Sequence, residues 1–170
     1  GFALEGTYLG AEPYGSGHIN DTYVAAYEQG AGPMRYLHQR INHQIFKNPP
    51  LLMENILRVT SHARQALARA GASEIDRRTL TVLPSQQGLP YWQDTQGNFW
   101  RTYYFIEQAE TFDRVESPAQ AHAAAAAFGQ FQKLLANLEG ERLHETIPQF
   151  HHTRSRFQQF LEAMEKNSAG

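Results

Sequence analysis

A glycine-rich stretch near the start of the chain carries residue types that can hold phosphate groups. Glycine has no Cβ, so backbone N–H groups in a glycine turn can approach phosphate oxygens closely. Turn statistics alone favour a plain hairpin turn for a Gly-x-Gly sequence, but the polar run after the first glycine is longer than a turn needs. The candidate phosphate-binding residues are Gly15, Ser16, Gly17, His18, Asn20 and Thr22.

A cation and a carboxylate further along the chain could orient the same phosphates. In kinases, a cation on the third strand faces the nucleotide and is held by a carboxylate on the following helix. Arg40 lies near the end of a segment with strand periodicity, and Glu54 lies one turn into the next predicted helix. We therefore expect an Arg40–Glu54 ion pair that aims the guanidinium at the nucleotide. Taken singly, Arg40 is better explained as a solvated arginine and Glu54 as a partner of the helix dipole. Lys47 is the other candidate cation.

A third candidate is the polar connector that follows a strand-like aromatic run at 103–106. Backbone N–H and C=O groups of such a connector could bind the edge of an adenine, and Phe105, Glu107 and Ala109 would contact the nucleotide there. The alternative is a core strand followed by an ordinary loop. Asp113, just beyond, could reach ribose or acceptor hydroxyls, or cap a turn.

Periodicity and turn residues divide the chain into a strand-rich first half and a helical second half. Asn48 and the two prolines after it indicate a helix start, because asparagine caps helices and proline suits the first turn. Ser117 and Pro118 repeat that signal in the second half. The predicted strands are 6–14, 18–28, 33–42, 79–84, 89–93 and 99–106, and the predicted helices are 50–70, 117–140 and 154–166, followed by a short tail.

This order of elements predicts an α+β protein. A five- to six-stranded antiparallel sheet with one helix after the third strand is typical of the small lobe of a protein-kinase-like fold. We expect residues 1–107 to form the nucleotide-binding lobe. Residues 108–170 would then contain the hinge and the first helices of a large lobe.

Composition excludes several other classes of function. The net charge of −2 gives no support for a nucleic-acid partner, and no apolar run reaches the roughly 20 residues that a membrane helix needs. The absence of cysteine excludes thiol nucleophiles and thiolate metal sites, is compatible with a cytoplasmic location, and rules out a sulfatase of the Cys-x-Pro-x-Arg type. His144, His151 and His152 lack carboxylate partners at helical spacing, so we expect no metal site among them.

Six ordered motifs give the chain a specific resemblance. They resemble the aminoglycoside phosphotransferase/choline kinase superfamily, and within it most closely the N-acetylhexosamine 1-kinases. The similarity extends from about residue 9 to the end of the chain. Long motifs in a fixed order are far more specific than a glycine turn alone. The motifs are Gly-Ser-Gly-His-Ile-Asn-Asp-Thr (15–22), Gln-Arg-Ile-Asn-His (39–43), Phe-Lys-Asn-Pro-Pro-x-Leu-Met-Glu-Asn-Ile (46–56), Trp-Arg-x-Tyr-x-Phe-Ile-Glu (100–107), Phe-Gly-x-Phe-Gln-x-Leu-Leu (128–135) and Leu-His-Glu-Thr-Ile-Pro-x-Phe-His (143–151).

The resemblance implies ATP- and Mg²⁺-dependent transfer of the γ-phosphate to a sugar hydroxyl, the anomeric one of an N-acetylhexosamine. It implies nucleotide contacts from 15–22, Arg40 and 105–109, and it suggests that the segment around His144 lines the sugar pocket. The superfamily usually has lysine at the position of Arg40. Arginine keeps the charge there but binds phosphate in a forked geometry.

One motif of the superfamily does not occur in these 170 residues. The catalytic loop has His-Gly-Asp followed by Asn, and its Asp is the base that positions the acceptor hydroxyl. No His-Gly-Asp is present, so we expect no catalytic residue in this chain, magnesium ligands elsewhere, and an inactive amino-terminal fragment of a longer kinase. The alternative is a non-catalytic nucleotide-binding or scaffold module.

Overall fold

The chain combines an antiparallel sheet with helices, and a computed structural model describes residues 1–30 and 32–166. The prediction of an α+β protein is confirmed: the arrangement fits a kinase-like small lobe followed by helices. Within the described residues, the sheet has five strands in the order β1-β2-β3-β5-β4. The strands are β1 (Thr7–Pro13), β2 (Asp21–Gln29), β3 (Gly32–Ile41), β4 (Trp92–Gln93) and β5 (Phe99–Tyr104), and the helices are α1 (Pro49–Arg69), α2 (Ile75–Arg78), α3 (Pro118–Leu135) and α4 (Thr153–Lys166).

The pairing of β2, β3 and β5 gives the sheet two different faces. Because side chains alternate along a strand, Ile41 of β3 and its partner Phe99 of β5 share one face. Ile41 packs there against α1 and is 1% exposed. The neighbouring Arg40 and its partner Trp100 therefore lie on the opposite face. We call these the helix face and the outer face.

Helix α1 confirms the predicted helix at 50–70. The Asn48 side chain accepts a hydrogen bond from the Leu51 N–H (3.2 Å), and Pro49 is the first helical residue. At the other end, Gly71 adopts φ +68°, a left-handed conformation that glycine tolerates without strain. Leu52 and Met53 are buried against Ile41, which fixes α1 on the sheet.

The predicted strand at 79–84 is largely wrong. The short helix α2 precedes it, and Val82 makes only an isolated bridge to Tyr103 of β5. Pro84 has no N–H to donate, so a ladder cannot continue through it. Its carbonyl instead accepts from the Ala3 N–H (3.1 Å), which ties this segment to the amino terminus.

The second half is helical, as predicted, but it has no buried residue in either long helix. Helix α3 begins as expected, with the Ser117 hydroxyl accepting from the Gln120 N–H (3.2 Å), and it ends at Leu135, before the predicted Gly140. Helix α4 agrees with the prediction, and the predicted tail at 167–170 lies outside the described residues. None of the helices in the described ranges has both the length and the apolar character that crossing a membrane would require.

Candidate functional site

The glycine-rich stretch forms the turn between β1 and β2. Its hairpin is closed by the Tyr14 N–H, which donates to the Thr22 carbonyl (2.9 Å). Gly15 has φ +80°, so the backbone itself requires glycine at this position. Among the described residues, no atom lies within 4 Å of a Cβ built on Gly15 or Gly17. The surface of the turn is therefore open to a ligand.

This turn contacts the connector that follows β5. The Ser16 hydroxyl donates to the Asp113 carboxylate (2.7 Å), and the Tyr14 ring meets the Phe105 ring edge-on, with centroids 5.3 Å apart. Three predicted residues, Ser16, Phe105 and Asp113, are thus brought to one place from opposite ends of the sequence.

An arginine that the sequence reasoning missed anchors the connector. Arg35 of β3 donates from both Nε and Nη2 to the Glu107 carboxylate, with 2.9 Å between Nε and Oε1, and its guanidinium lies 4.1 Å from the Phe105 ring centre. This hydrogen bond raises the pKa of Arg35 and lowers the pKa of Glu107. The pair is partly exposed, so its contribution to stability is small, but it fixes where the connector starts.

The connector bends sharply just after Glu107. Gln108 has φ +55°, a left-handed conformation that costs a non-glycine residue roughly 1–2 kcal/mol. The Glu107 carbonyl accepts a hydrogen bond from Arg77, which holds the near side of the bend. Ala109, the last predicted adenine contact, is exposed immediately beyond it. Its backbone role stays a prediction.

The predicted ion pair between Arg40 and Glu54 is wrong. Arg40 instead pairs with Asp21, directly opposite on β2, with distances of 2.8 Å from Nε and 2.5 Å from Nη2 to Oδ2. The hydrogen bond to Asp21 raises the pKa of Arg40. Because Arg40 lies on the outer face and α1 on the other, its side chain is directed away from Glu54.

Glu54 has a different partner in the second half of the chain. Its carboxylate lies 3.1 Å from Nε2 of His144. The neighbouring Asn55 donates to the His144 carbonyl (2.8 Å) and accepts from the His144 N–H (2.9 Å). Two residues predicted for different purposes, Glu54 for nucleotide and His144 for substrate, therefore belong to one contact between α1 and the segment before α4.

The helix face carries a polar row that leads away from the glycine-rich turn. Gln39 donates to the Thr22 hydroxyl (3.0 Å) and accepts from Nε of Arg101 (3.0 Å). Arg101 also lies 5.6 Å from the centre of the Tyr103 ring. It borders a cavity of about 440 Å³ between β5, α1 and α3. Alternation along 99–105 would have placed Arg101 on this face with Phe99 and Tyr103.

The remaining predicted residues of the turn differ in their surroundings. The Asn20 side chain accepts from the Asn42 N–H (3.0 Å) and so links the start of β2 to the end of β3. His18 is exposed at the tip of the turn. Asn20 therefore has a structural role, whereas His18 is free to meet a ligand.

Within 1–30 and 32–166, no group of three His, Cys, Asp or Glu side chains is close enough to hold a metal ion.

Comparison of the chain with protein-family models finds no model that matches it.

Proposed function

We propose that this chain holds ATP as the nucleotide-binding part of a sugar phosphotransferase of the aminoglycoside phosphotransferase/choline kinase superfamily. The observation that carries the proposal is the contact between the glycine-rich turn and the connector, through Ser16 and Asp113. In a kinase-like small lobe, the glycine-rich turn covers the nucleotide and the connector lies beside it. This chain has both segments, and the residue types in each suit contact with a nucleotide.

The nucleotide would lie on the helix face. Its adenine would bind the backbone of 105–109, and its phosphates would meet the N–H groups around Gly15 and Gly17. Arg101, rather than Arg40, is the cation suited to the phosphates, because it is on the face that carries α1 and ends the row from Thr22. The guanidinium would stabilise the negative charge of the phosphates by hydrogen bonds that a lysine cannot duplicate.

The proposed reaction is transfer of the γ-phosphate to the anomeric hydroxyl of an N-acetylhexosamine, in the cytoplasm. His144 would lie towards the acceptor side. The base of this reaction is the Asp of a His-Gly-Asp loop, which these 170 residues lack. We therefore propose that polypeptide outside them supplies the base and the magnesium ligands. When bound, magnesium would neutralise charge on the phosphates.

A second candidate is a non-catalytic nucleotide-binding or scaffold module. It is favoured by the same missing loop and by the lack of a metal-binding cluster among the described residues. Both candidates predict ATP binding. They differ in whether the complete polypeptide turns over ATP and sugar.

Calorimetric titration of the chain with ATP tests the shared step. We expect saturable binding that Arg101→Gln weakens by about tenfold, the loss of one charge-assisted contact. Arg40→Gln is the matched control on the other face and should change the affinity much less. Absence of ATP binding would overturn the proposal, and a larger effect of Arg40→Gln would overturn the role given to Arg101.

An assay for sugar 1-phosphate formation tests where the chemistry lies. The pure chain, mixed with ATP, Mg²⁺ and N-acetylglucosamine, should form no product, because it has no base to position the acceptor. Turnover by the pure chain would contradict the placement of the catalytic residues outside it. A complete polypeptide that binds ATP but never phosphorylates a sugar would favour the scaffold candidate.

A further inference from the structure

The outer face of the sheet carries a cavity that the proposed function does not use. It has a volume of about 400 Å³, at the low end of the 300–1,000 Å³ typical of small-molecule sites. Its walls include Tyr23 and Tyr27 of β2, Trp92 of β4 and Trp100 of β5. The sequence contains two tryptophans, so both of them line this cavity. All four rings are half-exposed.

Three of these rings, those of Trp100, Tyr23 and Tyr27, are held in place before any ligand arrives. The Trp100 indole N–H donates to Asp94 (2.9 Å), and its ring lies 6.2 Å from the Tyr23 ring. The Tyr27 ring packs edge-on between Tyr8 (5.5 Å) and Tyr36 (5.4 Å). Binding would therefore cost little free energy for ordering the cavity walls, which favours affinity.

The lining is polar in places but has no charged side chain. Among the described residues around the cavity, none contributes a carboxylate, ammonium or guanidinium side chain. His38, in the cavity floor, bonds Thr102 through Nδ1 (2.7 Å), and burial lowers its pKa, so the imidazole is neutral at pH 7. Tyrosine hydroxyls and this imidazole offer hydrogen bonds to uncharged groups. A charged ligand would lose its hydration here without meeting an oppositely charged side chain; among the described lining residues, the one charged group is the terminal ammonium of Gly1.

The shape of the cavity distinguishes planar aromatic ligands from saturated ring ligands. The Trp100 and Tyr23 rings are inclined to each other by 39°, so a planar aromatic ligand can lie flat on only one of them. A saturated ring is thicker, has apolar C–H groups on its faces and carries hydroxyls around its edge. Such a ligand can press one face on the indoles and turn its hydroxyls towards Tyr23, Tyr27 and His38.

We propose that this cavity binds a neutral pyranose sugar. The site is separate from the proposed nucleotide site, because it lies on the other face of the sheet. It would let the chain hold a saccharide without acting on it.

Tryptophan fluorescence gives a local measurement, because both indoles line the cavity. Titration with methyl β-D-glucopyranoside should give a saturable change in emission, whereas the acyclic polyol mannitol should not. Tyr27→Phe keeps the ring and removes one hydroxyl, so we expect about fivefold weaker binding, the effect of one neutral hydrogen bond. Tyr8→Phe, on the exposed side of Tyr27, is the matched control and should bind as the unchanged chain does.

Several results would overturn the proposal. One is the lack of any saturable change with the glycoside, and another is an equal change with mannitol. A response to indole but not to the glycoside would show a site for planar rings instead. The affinity of the Trp92→Leu variant for the glycoside can be followed by the fluorescence of Trp100. If that affinity is unaltered, the sugar binds elsewhere. Failure of ATP binding would leave this inference intact, because the two sites share no residue.

Discussion

At the scale of single residues, Asp94 organises the tight hairpin between β4 and β5. Its carboxylate accepts from the Trp100 indole (2.9 Å), from the Asn98 side chain (3.0 Å) and from the backbone N–H groups of Gln96 (2.9 Å) and Asn98 (2.8 Å). These donors favour the ionised form. Led by the Trp100 and Asn98 side chains, they lower the pKa of Asp94 from 3.8 to about 2.

Asp94 should therefore make stability depend on pH in acid. Its folded pKa is lower than its unfolded pKa, so its contribution is complete above about pH 4 and is lost as the pH falls towards 2. Asp94→Asn should lower the thermal unfolding midpoint at pH 7, and its deficit should shrink over that acid range. Glu28→Gln, at an exposed carboxylate, is the control. A deficit that stays constant from pH 7 to pH 2 would contradict this assignment.

Arg40 shows how far the site could be predicted from sequence. Alternation along 33–42 already separates Arg40 from Leu37 and Ile41, and an apolar face must pack on the helix. Arg40 could not then meet Glu54, so the expectation drawn from kinases conflicted with the period of the strand. The bond from Ser16 to Asp113 spans 97 residues. No local pattern predicts such a contact, because loop geometry depends on the assembled fold.

At the scale of elements, α1 connects the two halves of the chain through its polar side. Arg58 donates to the carbonyls of Glu139 (3.1 Å) and Glu141 (2.8 Å), and a ring nitrogen of His62 lies 3.1 Å from the Leu134 carbonyl. With Asn55, these residues follow helical spacing on one side of α1. They satisfy carbonyls at and beyond the end of α3 and so attach the end of that helix to α1.

Asn55 is the most direct test of this connection. Asn55→Ala removes both bonds to the backbone of His144, so we expect the loss of roughly 1–2 kcal/mol of unfolding free energy and faster exchange of the His144 amide hydrogen. Gln65→Ala removes an exposed amide from the same helix and should change neither. Unchanged exchange at His144 in Asn55→Ala would show that the second half is held by other contacts.

The elements differ in how well sequence predicts them, and the reason is locality. Both ends of α1 are set by residues next to them, Asn48 and Gly71, so its bounds follow from the sequence alone. The segment at 79–84 is β-rich, yet it pairs with β5 only around Val82, and its Pro84 carbonyl accepts a hydrogen bond from the Ala3 N–H. A partner more than 80 positions away leaves no mark in the local pattern.

At the scale of the whole molecule, the buried residues of the described chain lie only in its strand-rich part, up to Tyr103. Tyr103 is the last of them, and every described residue after it is at least partly exposed. Large apolar side chains are exposed instead: Phe128 of α3 is 71% exposed and Met164 of α4 is 60% exposed. Helices without a buried side gain little from packing, so their local stability is low.

Limited trypsin digestion should therefore cut the second half first. Cleavage of a folded chain follows the population of locally open states, which is largest where few apolar contacts must break. We expect the first cuts after Arg154, Arg156 and Lys133, and a resistant fragment that retains the sheet and α1, identified by mass spectrometry. The chain unfolded in urea is the control, because it should be cut at all basic residues at similar rates. First cuts after Arg35 or Arg40 of β3, or after Arg64 of α1, would mean that the buried part of the chain opens before α3 and α4, and stability would then not follow burial.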